Sequence, residues 1–148
     1  PDICVRRSLQ TASTLAGLSI SNTFTAVCHS ISYPLTAHFG LPHGLACSFT
    51  IPDVLDIASR IDDGRLKLLA TKLGFESPAE LTLHLTHLLF TLDVPTKIMK
   101  HMPSDKSSLI PLKDSLITPS RTAHNLFCVD SSLAFDILNS ALIRFKIY

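Results

Sequence analysis

The sequence has few of the features that carry chemistry on their own. Glycine occurs only five times, and neither Gly-x-Gly-x-x-Gly nor Gly-x-x-x-x-Gly-Lys-Ser/Thr is present, so these 148 residues contain no phosphate-binding loop. The absence of Gly-x-Ser-x-Gly argues against a serine hydrolase. The formal net charge is +1 and no basic stripe is present, which gives no basis for a nucleic-acid partner or an anionic membrane.

Cysteine is scattered, and no Cys-x-x-Cys pair occurs among the four: Cys4, Cys28, Cys47 and Cys128. Because no secretory leader precedes them, we expect reduced, mostly buried thiols in a cytoplasmic protein. The longest apolar stretch, residues 15–27, is interrupted by Ser, Asn and Thr. It is too short and too polar to span a bilayer, so we expect no membrane partner.

What the chain does contain is apolar residues, at 46% against 17% charged residues. Its length is typical of one domain, residues 1–148, and suffices to bury a core. So high an apolar fraction predicts an extra apolar face, buried against another domain or subunit. The chain also begins directly in a helical pattern with no strand before it, which is typical of a domain excised from a longer protein.

Helical periodicity and capping residues recur along the chain, while β-branched runs between turns do not, and this predicts an all-α domain. Asp2 caps a first helix whose small residues predict a central, well-covered position. Residues 94–126 are richer in Pro, Ser and Lys and predict short helices joined by turns. The longer helices are expected at about 2–25, 26–39, 43–59, 65–73, 78–92 and 133–145.

Prolines and glycines set several of these boundaries. Gly40 predicts a left-handed end to the second helix, and Pro34 predicts a kink or break within it. Pro42 opens the third helix, which we expect Pro52 to bend midway. Gly74 closes the fourth.

Two histidines, His29 and His43, lie fourteen residues apart across this Gly-Leu-Pro turn. Imidazole suits zinc and iron(II), and Pro42 and Gly44 fix the position of His43 at a helix N-terminus. The spacing alone does not match a zinc finger. It leaves open two alternatives, a metal site and two polar residues bonded to backbone carbonyls near the surface.

The other histidines carry weaker signals. His84 and His87 share one helical face and could ligate a metal, but the neighbouring leucines define the buried side of that helix, which favours a solvated or interface pair. The remaining three are interpreted as single surface or turn residues: His38, His101 and His124.

A longer pattern surrounds the first two histidines. Leu15-Ala16-Gly17-Leu18-Ser19-Ile20-Ser21-Asn22-Thr23 precedes His29, and Pro34-Leu35, Pro42-His43-Gly44 and Ile51-Pro52 follow it. This order resembles the C-terminal domain of the iron-containing (group III) alcohol dehydrogenases, strongly over residues 12–55. The resemblance continues more weakly to residues 123–126, which precede the final helix as an Asn-Pro element does in that family.

The resemblance implies a two-domain enzyme with an N-terminal NAD(P)-binding domain and a helical, bundle-like C-terminal domain. Between them a divalent ion, Fe²⁺ or Zn²⁺, polarises the substrate oxygen during hydride transfer. An Asp and a His on one helix and two further His hold the ion, and the latter two match His29 and His43. Only 28 residues precede His29, without Asp-x-x-x-His. Half of the metal site and the NAD(P) domain are therefore expected outside this chain.

Many family members carry a proton-relay His four residues after the first matching ligand, where this chain has Tyr33. Tyrosine can hydrogen-bond a substrate oxygen but is a poorer base near neutrality. We therefore predict Tyr33 as a catalytic residue, and Tyr33 and His38 as residues of the substrate pocket. The sequences around both histidines, residues 29–36 and 42–48, resemble those of the family branch that reduces phosphonoacetaldehyde-type aldehydes.

Two hypotheses follow. The first is the metal-binding domain of an NAD(P)-linked alcohol dehydrogenase acting on a small alcohol or aldehyde, with its partner NAD(P) domain missing and the isolated chain inactive. The second is an inactive helical interaction module that forms homo-oligomers, which the apolar surplus favours. We expect no nucleic-acid or membrane partner in either case.

Overall fold

The helices follow the capping signals of the sequence. In the computed structural model, residues 2–118 and 125–148 are described, and they form helices and turns without a strand. This confirms the predicted all-α fold class. The α-helices are α1 (Ile3–Asn22), α2 (Val27–Phe39), α3 (His43–Ser48), α4 (Ile51–Ser59), α5 (Arg65–Lys72), α6 (Pro78–Thr91), α7 (Val94–Met99) and α8 (Ser131–Arg144), and a 3₁₀ helix covers Lys106–Leu116.

Side-chain caps explain where several helices begin. The Ser77 hydroxyl accepts a hydrogen bond from the Glu80 amide at 3.2 Å, and the Glu80 carboxylate accepts one from the Glu76 amide at 2.6 Å. Asp130 starts α8 by accepting from the Leu133 amide at 2.7 Å. Each of these groups satisfies an amide in the first turn of a helix or just before it, where the helix itself offers no partner, so these starts were predictable from sequence.

The structure differs from expectation at Pro52, and at Pro34 it shows a helix without the break that was one of two expected alternatives. The predicted helix over 43–59 is two helices, because Pro52 suits the first turn of a new helix, where a missing amide costs nothing. Conversely, α2 runs unbroken through Pro34. Ile31 and Leu35, both fully buried on α2, anchor it to the core on either side of the proline. That packing outweighs the hydrogen bond the ring removes.

The core forms where α2 meets α3, α8 and the 3₁₀ helix. The largest fully buried side chains come from all four regions, so α2 lies at the centre of the packed part of the domain. They include Phe49, Phe145, Ile31, Leu35, Leu41, Leu109, Leu116, Ile137, Leu138 and Leu142.

Helix α1 is outside this core, and the prediction that it is central and well covered is wrong for the described part of the chain. None of its residues is buried. Leu9 is 65% exposed and Leu15 61% exposed. Small residues permit a close helix approach, but they do not determine which surface approaches. Helix α1 therefore supplies the extra apolar face that the composition predicts.

A buried ion pair joins α4 to α8. Asp53 is 3% exposed, and it accepts hydrogen bonds from the Arg144 guanidinium at 3.1 Å and from the Ser140 hydroxyl at 2.5 Å. Arg144 also donates to Asp56. Burial alone would lower the pKa of Arg144, but the hydrogen bonds and charges of the two aspartates raise it above its usual range.

Two sequence expectations concern residues 119–124, which lie outside the described residues. They are the isolated turn histidine His124 and the first half of the element at 123–126. Within the described ranges, no helix combines the length and apolar character needed to cross a bilayer.

Candidate metal centre

Helix α2 presents His29 and Tyr33 one turn apart, on the same face. Its first turn is fixed from a distance, since the Val27 amide donates to Oδ1 of Asn125 at 3.0 Å. Ser30 accepts from the Thr118 amide at 2.8 Å. These bonds hold the start of α2, and His29 with it, against the segment that precedes α8.

The turn after α2 returns His43 to His29. Gly40 adopts φ +64°, a left-handed conformation that favours glycine, and His43 is the first residue of α3. The two imidazole centroids lie 5.4 Å apart in an edge-to-face arrangement. The Tyr33 ring stacks on His43 at 5.6 Å with planes inclined by 30°. The structure therefore brings together the three residues singled out by the sequence around this turn.

A buried serine, Ser32, contacts the ring of His43. The Ser32 hydroxyl donates its one proton to the His29 carbonyl oxygen at 2.7 Å and lies 3.2 Å from Nδ1 of His43. Because that proton is already used, we assign the second contact as Nδ1–H of His43 donating to Ser32. Nε2 of His43 then carries the lone pair that a metal requires. Sequence reasoning did not identify Ser32.

Cys47 is the second residue that sequence reasoning missed. It follows His43 by one helical turn, and its Sγ lies 3.6 Å from Nε2 and 3.9 Å from Nδ1 of that ring. Donor atoms of His29, His43 and Cys47 all lie within 4.8 Å of one another. The i, i+4 spacing of His43 and Cys47 on a predicted helix was the signal available in the sequence.

The four thiols differ in environment. None forms a disulfide, but Cys4 and Cys128 are exposed, so the expectation that the cysteines are mostly buried is wrong for these two. Burial raises the pKa of Cys28 to about 11, although its hydrogen bond with Thr50 opposes the shift. Burial likewise raises the pKa of Cys47.

The remaining histidines lie elsewhere. His38 follows His29 by nine residues, which rotates it by about 180° around α2, and its ring lies 6.4 Å from Phe39. The structure thus does not bring His38 to the histidine pair. On α6, His84 and His87 are exposed, and the ring of His84 lies 5.0 Å from that of Phe75.

This arrangement coincides with a family match. The model of the Fe-containing alcohol dehydrogenase family, C-terminal domain, matches residues 1–107, a range that contains the whole cluster. The chain belongs to this family. The membership predicted from the sequence is confirmed, and with it the assignment of this chain to the C-terminal, helical domain of the family.

Curated relatives match a shorter part of the chain. Phosphonoacetaldehyde reductase of Streptomyces viridochromogenes is 46% identical over 55 residues, 37% of this chain and 14% of that protein. The NADPH-dependent butanol dehydrogenase of Clostridium saccharobutylicum is 30% identical over 69 residues, 47% of this chain and 18% of its own length. The bifunctional aldehyde-alcohol dehydrogenase AdhE of Escherichia coli K12 is 40% identical over 50 residues, 34% and 6% of the two chains. The match covers less than a fifth of each relative, and no solved structure matches the chain.

Proposed function

We propose that this chain is the metal-binding helical domain of an NAD(P)-linked alcohol dehydrogenase that interconverts alcohols and aldehydes by hydride transfer. The observation that carries the proposal is the convergence of His29 and His43, whose ring centroids lie 5.4 Å apart. Its family membership supports the reaction class. In the proposed enzyme the nucleotide-binding domain lies outside these 148 residues.

The donor atoms fit a divalent ion. Zinc binds imidazole nitrogen and thiolate sulfur at distances that place tetrahedral ligand atoms roughly 3.3–3.8 Å apart. The 3.6 Å separation between His43 Nε2 and Cys47 Sγ falls in that range. Ser32 also leaves Nε2 of His43 as the unprotonated nitrogen. His29 and His43 would therefore hold Fe²⁺ or Zn²⁺ in the intact enzyme.

The chain's own residues have separable roles in this proposal. A bound ion supplies Lewis-acid polarisation of the substrate oxygen, while the nicotinamide carries the hydride. His29 and His43 bind the ion, and Ser32 orients the ring of His43. Tyr33, 39% exposed and stacked on His43, borders the cluster and would exchange a proton with the substrate oxygen through its hydroxyl. The role of His38 in the substrate pocket stays a prediction.

The substrate proposed is a small alcohol or aldehyde of the phosphonoacetaldehyde type. Its support is the 46% identity with phosphonoacetaldehyde reductase over 55 residues, higher than the 30% identity with the butanol dehydrogenase. A discriminating comparison is kcat/KM for phosphonoacetaldehyde against butanal in the assembled enzyme.

The proposal predicts activity only when a nucleotide-binding domain is joined to the chain. With Zn²⁺ or Fe²⁺, the 148-residue chain alone is expected to oxidise no NAD(P)H with short aldehydes. Placed in the Streptomyces reductase instead of the segment that it matches, the chain is expected to support turnover by the joined protein, and His43→Ala is expected to abolish that turnover. Turnover by the chain alone would contradict the required second domain. A joined protein that binds both metal and NADPH without aldehyde-dependent oxidation would refute the dehydrogenase proposal.

One observation favours a second candidate function, a homo-oligomerisation module. Helix α1 exposes apolar side chains along its whole length, including Leu9, Leu15 and Leu18. Ile3, Val5 and Ile20 of α1 are exposed as well, and clustered exposed apolar side chains are typical of an interaction surface. A second copy of the chain would bury α1 against the same helix of its partner, as two-fold dimers do.

Light scattering tests this second candidate. The chain is expected to form a dimer, and the double variant Leu9→Glu/Leu15→Glu is expected to form a monomer with unchanged helix content. Gln10→Glu/Thr14→Glu is the matched control, because it adds the same two charges to α1 at exposed polar positions. A monomeric wild-type chain across micromolar concentrations would exclude oligomerisation through α1.

A further inference from the structure

We infer that Cys47 is a third metal ligand, so that His29, His43 and Cys47 form a His₂Cys site contained entirely within this chain. The inference rests on the proposed metal-binding role of the two histidines. It goes beyond that role by adding a thiolate ligand and by predicting tight binding without residues from another domain. The sequence alone predicted only half a site.

The candidate donor atoms of the three side chains lie close together. The three side chains come from two helices, yet their candidate donor atoms lie within 4.8 Å of one another. Sγ of Cys47 lies 3.6 Å from Nε2 of His43. Tetrahedral zinc with nitrogen and sulfur ligands needs separations of roughly 3.3–3.8 Å. A shift of about 1 Å within ordinary side-chain freedom brings the widest pair into that range.

The helix segments that carry the three side chains are held in place by the core. The neighbours of Cys47 along α3 are fixed in the core, since Ala46 and Phe49 are fully buried. His29 is fixed on α2 by the burial of Ile31 and by the Asn125 bond to the start of that helix. The two helices pack directly on each other. The three donors are therefore already close before an ion arrives, which reduces the entropy lost on binding.

The chemistry of the donor set also supports a metal site. Two neutral imidazoles and one thiolate suit zinc and cobalt, and three protein ligands leave a fourth position for water or a substrate oxygen. On binding, the Cys47 S–H bond breaks, a sulfur–metal bond forms, and the proton passes to solvent. His43 is exposed, so the cluster is accessible to such a fourth ligand.

A Co²⁺ titration of the 148-residue chain tests the inference. We expect one ion per chain, tetrahedral visible bands, and a near-ultraviolet thiolate-to-cobalt charge-transfer band. Cys47→Ser is expected to remove the charge-transfer band and to weaken Zn²⁺ binding about 100-fold. Two control variants, Cys4→Ser on the exposed helix α1 and Cys28→Ser near Cys47, are expected to keep both the charge-transfer band and the Zn²⁺ affinity.

A measurement on the unaltered chain guards against a variant that does not fold. Zn²⁺ is expected to protect Cys47 from alkylation by iodoacetamide, located by mass spectrometry, and to leave the labelling of Cys4 and Cys128 unchanged. Cobalt binding without the charge-transfer band, or equal Zn²⁺ affinity in Cys47→Ser, would overturn the thiolate ligand. The 3.6 Å contact would then be a thiol–imidazole hydrogen bond, and the histidine proposal would stand. Absence of any bound cobalt would overturn a site contained within this chain, while the histidine proposal, which concerns the intact enzyme, would then be decided by the His43→Ala comparison in the joined protein.

Discussion

Replacing Arg144 with alanine is expected to lower the free energy of unfolding by about 3–5 kcal/mol, measured by urea denaturation. The substitution leaves the Asp53 carboxylate, 4% exposed, without its guanidinium partner inside the packed α4–α8 contact. An uncompensated buried charge costs far more than the pair contributes when intact. The lost packing of the arginine stem adds to the effect.

The matched control is Arg65→Ala. Arg65 also pairs with an aspartate, Asp63, at 2.9 Å, but both side chains are more than half exposed. Exposed pairs contribute little to stability because water screens them, so this variant should unfold almost as the wild type does. Adding Asp53→Asn to Arg144→Ala should recover part of the loss because the amide carries no charge. Equal losses for Arg65→Ala and Arg144→Ala would refute the buried-charge explanation.

Removal of either histidine of the candidate metal centre is expected to lower Zn²⁺ affinity by about 100-fold or more, measured by competition with a chromophoric chelator. Loss of a residue that only orients a ligand already costs about 10–100-fold, and His29→Ala or His43→Ala removes the ligand itself. Ser32→Ala is expected to lower Zn²⁺ affinity by about 10–100-fold. It removes the contact that favours one tautomer of His43, but it removes no metal ligand.

The control for these variants is His87→Ala on α6. His87 is exposed and lies outside the His29–His43–Cys47 cluster. Its replacement should leave Zn²⁺ affinity unchanged, while far-ultraviolet circular dichroism verifies the helix content of every variant. If His87→Ala weakened binding as much as His43→Ala did, zinc would be binding to surface histidines in general.

The sequence predicted most of the helices because their boundaries depend on local chemistry. Ser77 and Asp130 cap helices through neighbouring amides, and Gly40 ends α2 through its own backbone freedom. Long-range packing was not predictable in the same way. Small residues in α1 suggested a covered helix, but no neighbouring helix in the described part of the chain covers them. The Asp53–Arg144 pair joins residues 91 positions apart, and no local pattern indicates it.

The candidate metal centre was half predictable for a related reason. The turn at Gly40 and Pro42 made the approach of His43 to His29 plausible, and the family resemblance gave the two residues their proposed role. Cys47 required knowledge of the direction in which α3 leaves the turn, because i, i+4 spacing fixes only a shared face. Ser32 required the core packing of α2, since its side chain is fully buried beside His43.

Anomalous diffraction from crystals of the chain grown with Zn²⁺ tests the candidate metal centre directly. We expect one strong peak at the zinc absorption edge, about 2.0–2.1 Å from a ring nitrogen of both His29 and His43 and about 2.3 Å from Sγ of Cys47. A peak at the two histidines alone would retain the metal centre and reject its thiolate. Zinc bound only elsewhere, such as at His84 and His87 on α6, would refute a metal centre at His29 and His43.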